Sequence, residues 1–144
     1  MNDFADDGWF ARLPAVADQD PETFERLGFA ELRLLFEVID GDDIRRFGLV
    51  LDGYDVDYAG EIADVDAFAA DTIVTGPIDA WSEMAANIAA HGGADKEHTL
   101  NCLTMAGVPL SVTAPDPMGR DKFFRYAETL QALFDGTAPE PAVA

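Results

Sequence analysis

Cysteine occurs once in the 144 residues, at Cys102. A single thiol excludes an intrachain disulfide framework, and with it the small secreted folds that depend on staples. Among Leu100, Leu103 and Met105, Cys102 reads as a buried, inert small hydrophobe. Basic side chains are scarce as well. Lys96 and Lys122 are the only lysines, and 9 Lys and Arg stand against 28 Asp and Glu, a net charge of −19. A field of that sign repels phosphate backbones and anionic lipid, so neither nucleic-acid binding nor stable membrane insertion is expected. The acid excess reads as a solubility device, with a basic partner or a cationic ligand as its functional alternative. No stretch approaches the ~18 apolar residues of a spanning helix. The opening MNDFADDGWF has no basic region and no apolar run, so it does not read as a secretory signal; a cytoplasmic protein is the expectation.

The side chains that usually carry chemistry are just as thin. His91 and His98 are the only histidines, a Gly-Gly break lies between them, and no Cys pair or H-E-x-x-H accompanies them. IDGDDI and LDGYDVD lack the acid spacing of a calcium loop. Neither of the glycine-rich phosphate motifs occurs. Ser82 and Ser111, the only serines, sit in no nucleophile elbow. Asp55, Asp57, Tyr54 and Tyr58 have the side-chain types a small steroid isomerase uses, but the acids alternate against the tyrosines and are expected to face water. No cofactor and no catalytic residue is therefore expected.

What remains is apolar volume. The chain is 49% hydrophobic, with ten Phe, two Trp, three Tyr and four Met. Large aromatic and thioether side chains make either a plain core or an adaptable wall for a ligand. The length favours one domain, assigned to residues 1–135, followed by a small, Pro-containing, frayed tail from Gly136 to Ala144.

Periodicity orders the elements. Trp9, Phe10, Leu13 and Val16 recur at helical spacing. Asp20 then caps a helix with Pro21 at its first position and Gly28 as its stop. The period drops to two over Ala30–Val38, where Leu32, Leu34, Phe36 and Val38 share a face. Asp40-Gly41-Asp42-Asp43 turns the chain into Ile44–Leu51, with Phe47, Leu49 and Leu51 on one side. Tyr54, Val56 and Tyr58 then alternate with Asp55 and Asp57, giving a third strand of an antiparallel meander. An acidic crossing, Glu61–Ala70, leads to a strand at Thr72–Thr75. Gly76-Pro77 starts a helix with Ile78, Trp81, Met84, Ala85 and Ile88 on one stripe. A shorter helix capped by Asp95 and closed by Gly107 follows, then a strand at Val108–Thr113. A long helix, Arg120–Asp135, carries Phe123, Ala127, Leu130 and Phe134 inward and is widened by Phe124. The expected fold is α+β: a five-stranded, mostly antiparallel sheet covered on one face by helices.

The stretch Ala70-Asp71-Thr72-Ile73-Val74-Thr75-Gly76-Pro77, with Asp79-Ala80-Trp81 after it, resembles the strand-to-helix junction of the sterol carrier protein 2 (SCP-2) sterol-transfer family. There an acid opens a short strand, a small residue turns it, and an aromatic sits early in the next helix. The order of elements from Phe4 to Phe134 is similar too. The strong acidity and the segment PDPMGRD from Pro115 depart from the family's pattern. The resemblance implies non-enzymatic binding or transfer of a hydrophobic ligand, whether a lipid, acyl chain or steroid, in an apolar tunnel between sheet and helices, with the last helix as its lid. Facing pattern then gives the wall as Phe36, Phe47, Leu49, Trp81, Met84, Ile88, Met105, Phe124 and Leu130. The rival expectation is a filled-core accessory subunit, a homodimer or the partner of a lipid- or steroid-degrading enzyme.

Overall fold

The structure, a computed structural model, describes residues 7–138, with side chains from Trp9 onward. Three short helices come first: α1 (Asp7–Ala11), α2 (Leu13–Gln19) and α3 (Pro21–Leu27). Asp20 caps α3 as the sequence requires, its carboxylate accepting the Thr23 hydroxyl at 2.7 Å and the Thr23 N–H at 3.4 Å. The meander follows as β1 (Ala30–Asp40), β2 (Asp43–Gly53) and β3 (Asp55–Glu61). Asp40 pairs with Asp43 across a two-residue turn, and Gly41 takes the positive φ (62°) that such a turn needs.

After the short helix α4 (Val65–Phe68) the chain enters β4 (Thr72–Pro77) and turns into α5 (Ile78–His91). Helix α6 (Leu100–Thr104) and strand β5 (Ser111–Thr113) come next, and α7 (Pro117–Arg125) and α8 (Ala127–Asp135) complete the described elements. The sheet order is β3-β2-β1-β4-β5. Three of its four ladders are antiparallel, and one, β1 against β4, is parallel.

The inner face is the one the alternation predicts. Leu32, Leu34, Phe36 and Val38 of β1, Phe47, Leu49 and Leu51 of β2, and Val74 of β4 are buried in one cluster with residues of α1, α2, α3, α5, α6, α7 and α8. Leu35, between two inner residues of β1, points the other way and joins Val50 and Phe68 in a second, smaller cluster. Helix α4 therefore lies on the opposite face from the main helical layer, within the stretch that the sequence presents only as an acidic crossing segment. Gly48 makes room for it: a Cβ there would meet Ile62 and Phe68 at 2.8 Å.

Other expectations change in detail. The ladder between β2 and β3 pairs Leu51 with Val56 but Val50 with Tyr58. Asp57 is the extra residue of a β-bulge, and it shifts Tyr58 to the face opposite Val56, so strict alternation from Tyr54 to Tyr58 fails. The single C-terminal helix is two, broken at Tyr126 (φ −101°, ψ 16°). Strand β5 starts only at Ser111, because Pro109 has no N–H to give a ladder and Val108 lies exposed. Thr99, not Asp95, caps α6, its hydroxyl accepting the Cys102 N–H at 3.1 Å. Cys102 itself is exposed rather than buried, since the inward positions of so short a helix go to Leu100, Leu103 and Thr104. Part of the tail expected to fray, residues 139–144, lies outside the described residues. Its first residues pack: Thr137 is buried, and its carbonyl accepts from Arg12 Nη1 at 3.3 Å.

Candidate functional site

The strand-to-helix junction at Asp71 is tied down from several sides. Its backbone N–H donates to the Arg33 carbonyl at 2.8 Å, and its carboxylate accepts the Arg33 N–H at 2.9 Å. Lys122 of α7 reaches the same carboxylate at 3.5 Å. The buried Thr72 hydroxyl donates to the Gly119 carbonyl. Residue 119 must be glycine for this approach, since a Cβ there would fall on the Asp71 carbonyl oxygen. Asp71 thus locks the start of β4 to β1 and to α7.

From that junction α5 projects Trp81, Met84 and Ile88 inward, all fully buried. The Trp81 indole N–H is shared between the Gly76 carbonyl at 3.2 Å and the Glu37 carbonyl at 3.3 Å, so its polar atom is satisfied at the sheet while its rings face the core. Trp81 meets Phe36 edge-to-face at 5.6 Å. Phe36 lies 5.3 Å from Phe10 and 5.7 Å from Phe134, and Phe10 stacks on Phe47 at 4.5 Å. Phe10 and Phe134 come from the helical stripes of the first and last helices, and they occupy the space over Phe36 and Phe47.

Seven of the nine expected wall residues are therefore brought together: Phe36, Phe47, Leu49, Trp81, Met84, Ile88 and Leu130 all belong to the main core cluster. Met105 and Phe124 are not. Met105 is 74% exposed in the turn after α6, and Phe124 is 39% exposed on α7. Adjacent helical residues point about 100° apart, and it is Phe123 that goes inward while Phe124 lies under the Arg120 guanidinium, 5.4 Å from the ring centroid.

Among the described residues, space between the sheet and the helices opens at the far end, beside α3. A cavity of about 10 Å³, room for about one water, is lined by Ala17 of α2, Phe24 of α3, Ala30 and Leu51 of the sheet, and Thr129 and Leu133 of α8. Tyr54 and Asp55 line its mouth, and Phe29 packs edge-to-face on Tyr54 at 6.0 Å. Both rings are largely solvent-exposed. Phe24, with Leu27, reads in the sequence as the inward pair of α3, and Gly28 as its stop. Their meeting with Thr129 and Leu133 is a tertiary fact with no local signal.

The opposite face of the sheet carries larger clefts of mixed lining. One, about 430 Å³, lies against α4 between Arg33, Val50, Tyr58 and Phe68; its neighbour, about 390 Å³, extends over Glu31, Asp52, Asp71 and Lys122. Arg33, Val50 and Asp57 border both. Asp55 and Asp57 are exposed, so neither is the acid in an apolar pocket that isomerase chemistry needs. His98, one of the two histidines, is held between Asp95 (Nδ1 to Oδ1, 2.6 Å) and Glu83 (Nε2 to Oε2, 3.0 Å). These carboxylates, that of Asp95 foremost, raise the imidazole's pKa above its ordinary 6.5. The His98 contact in turn holds Asp95 down at about 2.

Comparison with known proteins places this architecture. No protein-family model matches the chain, and no curated protein matches it by sequence. Solved structures do. The crystal structure of sterol carrier protein 2 superposes with a TM-score of 0.67 at 14% identity, covering 97% of this chain and 98% of that one. The solution structure of the conserved Thermus thermophilus protein TT1886, described as a candidate sterol carrier protein, gives 0.61 at 12% identity over 95% of this chain and 91% of that one. At such identity the likeness is one of fold: the chain is SCP-2-like, an α+β layer with a five-stranded mixed sheet.

Proposed function

We propose that the protein binds and shuttles a hydrophobic small molecule (an acyl lipid, sterol or related compound) between the inner face of its sheet and the helices. In this reading it works in the cytoplasm and without catalysis. The observation that carries the reading is the character of the layer between sheet and helices. Its buried side chains are aliphatic, aromatic, methionine or threonine, and none of those described is charged. In an SCP-2-like fold such a layer can exchange its own apolar contacts for those of a ligand. The protein described here is closed, and the cavity beside α3 is where entry would start. Phe24 is the one fully buried residue of α3, with half-buried Leu27 beside it, so few side chains hold that helix to the core. Thr129, the polar group facing the cavity, would meet a ligand hydroxyl or carbonyl. A guest that buries about fifteen methylenes gains ~12 kcal/mol before ordering costs, which leaves ~4 kcal/mol to offset opening and ordering at near-micromolar affinity.

Intrinsic tryptophan fluorescence tests the reading. The protein is titrated with a long-chain fatty acid, its CoA ester, a sterol and a bile-acid-like steroid. Saturable change with one class, attenuated in Trp81→Phe, is the expected result. No response to any of the four well above micromolar concentration rejects it.

A second reading rests on the aromatic contacts around Phe36, which already fill the place where the wall was expected. It makes the protein an accessory subunit, whether homodimeric or bound to an enzyme of lipid or steroid breakdown, with no ligand of its own. It is the reading that remains if the titration is flat.

A further inference from the structure

We propose that the cavity beside α3 seats the head of an uncharged lipid, one that ends in a hydroxyl or carbonyl, and turns away anionic lipids. The inference deepens the carrier reading above and rests on it. It starts from the buried threonines. Among the described residues, Thr72, Thr104, Thr129 and Thr137 are the buried polar side chains. Three of these hydroxyls donate to backbone carbonyls: Thr72 to Gly119, Thr104 to Leu100 and Thr137 to Phe134. Thr129 differs. It is only 8% exposed, yet among the described residues its hydroxyl makes no hydrogen bond. No enclosed side-chain polar atom among those residues goes without a partner. The Thr129 oxygen is therefore not enclosed, and the space it opens on is the cavity it lines.

A threonine hydroxyl offers one donor and two acceptor positions, so it can meet an alcohol, a ketone or an ester. It can also donate to a carboxylate, and the surrounding charge decides against that head. Asp55 stands at the mouth, and Asp52 is its cross-strand partner. Asp18, Glu25 and Glu128 adjoin the lining residues Ala17, Phe24 and Thr129 in the chain. All five acids are exposed. No lysine or arginine lines the cavity or adjoins a lining residue.

The cations of the lining elements do not make up for this. Arg33 of β1 is held at the Phe68 carbonyl on the outer face, at 2.7 Å. Arg45 and Arg46, near the other end of β2, pair with Glu61 and Glu37. Arg26 of α3 is left against five acids. A carboxylate, sulfate or phosphate at Thr129 would leave water for a place with like charges around it and no counter-charge, which is the costly case. An uncharged head escapes that penalty and keeps the hydrogen bond. Its tail continues into the layer where Leu32, Leu49 and Leu130 are buried.

The test uses the full chain and two pairs of ligands that differ in head charge: 1-tetradecanol against tetradecanoate, and a sterol against its 3-sulfate. Each is delivered from cyclodextrin at about pH 8, where the carboxylate is ionised, and binding is read by tryptophan fluorescence. The expected result is that the neutral member of a pair binds about ten-fold or more tighter than the anionic one. In Asp52→Asn/Asp55→Asn the gap is expected to shrink to about three-fold or less. Asp42→Asn/Asp43→Asn removes the same charge at the opposite end of β1 and β2 and is expected to keep the gap. Thr129→Val is expected to weaken the neutral member about five-fold and leave the anionic one as it is. Thr129→Ser, which keeps the hydroxyl, is expected to bind like the parent. Circular dichroism verifies each variant's fold, and the double variants decide if Thr129→Val does not fold. An anionic member that binds as well as its neutral counterpart overturns the assignment and leaves the carrier reading standing. So does a gap that closes equally in both double variants, or a folded Thr129→Val chain that loses nothing. No binding by any of the four ligands overturns the carrier reading itself, and this assignment with it.

Discussion

Asp71 gathers three segments with one carboxylate and one peptide N–H. Replacing it by Ala removes an anionic acceptor from the Arg33 N–H and the ion-pair partner of Lys122. A charge-assisted hydrogen bond of this kind is worth about 1.5–3 kcal/mol; because Asp71 is partly exposed, solvent screening reduces the share due to Lys122. We expect Asp71→Ala to lower the urea midpoint by a stability equivalent of about 1–2 kcal/mol. His98 gives a prediction with a sign. Its pKa is raised in the fold, so its contribution is fully present below 6.5 and is lost as pH rises through the folded value. Asp95 runs the other way: its contribution is present above 3.8 and is lost as pH falls toward about 2. The clasp between α5 and the turn before α6 is complete between those limits. A melting series from about pH 5 to about pH 8 should fall more steeply for the parent than for His98→Asn, and an NMR titration of the His98 ring should give a midpoint above 6.5. At this scale Trp81 was legible, because it shares one helical stripe with Ile78, Met84, Ala85 and Ile88. Met105 was not: hydrophobicity alone does not tell a core residue from one exposed at a helix end.

The pair Phe123 and Phe124 decides how well an amphipathic stripe is phased. Phe123→Ala should cost about 3–5 kcal/mol, whereas Phe124→Ser should stay within about 0.5 kcal/mol of the parent, both read from denaturant unfolding. Had the helix run unbroken from Arg120 to Asp135, the inward face could have widened to include Phe124. The break at Tyr126 lets α7 and α8 each choose its own rotation. No Pro or Gly marks that break, so periodicity could not reveal it. The strands were easier to read, because period two with a buried face is a strong signal from Leu32 to Leu51. The bulge at Asp57 left no such trace: one extra residue keeps the composition unchanged while moving Tyr58 to the other face. The direction of β4 was equally silent, since a strand's sequence does not say whether its neighbour runs with it or against it. The candidate wall shared these limits. Those of the expected residues that lie on long, regular elements are buried together as their periodicity predicts, while the cavity beside α3 depends on contacts between segments far apart in the chain.

Over the whole molecule, 28 acids meet 9 bases, and the folded state brings them closer than the unfolded chain does. Self-repulsion therefore opposes compaction, and salt should relieve it: the screening length falls from about 30 Å at 0.01 M to about 3 Å at 1 M. We expect the melting temperature to rise steadily with NaCl over that range, and a chain in which Asp52 and Asp57 are both Asn to respond less steeply. The parallel pairing of β1 with β4 has a further consequence, for the order of assembly. The meander closes through local hairpins, but Leu34 waits for Thr72, and the helices that cover its face extend to Asp135. Synthesis at roughly 5–20 residues per second leaves that interval on the order of seconds. Throughout it the nascent chain presents Leu32, Leu34, Phe36, Phe47 and Leu49 uncovered. Neighbouring chains on one message are then kept apart chiefly by the acids between those residues and after them, so the charge that burdens the finished fold protects the unfinished one.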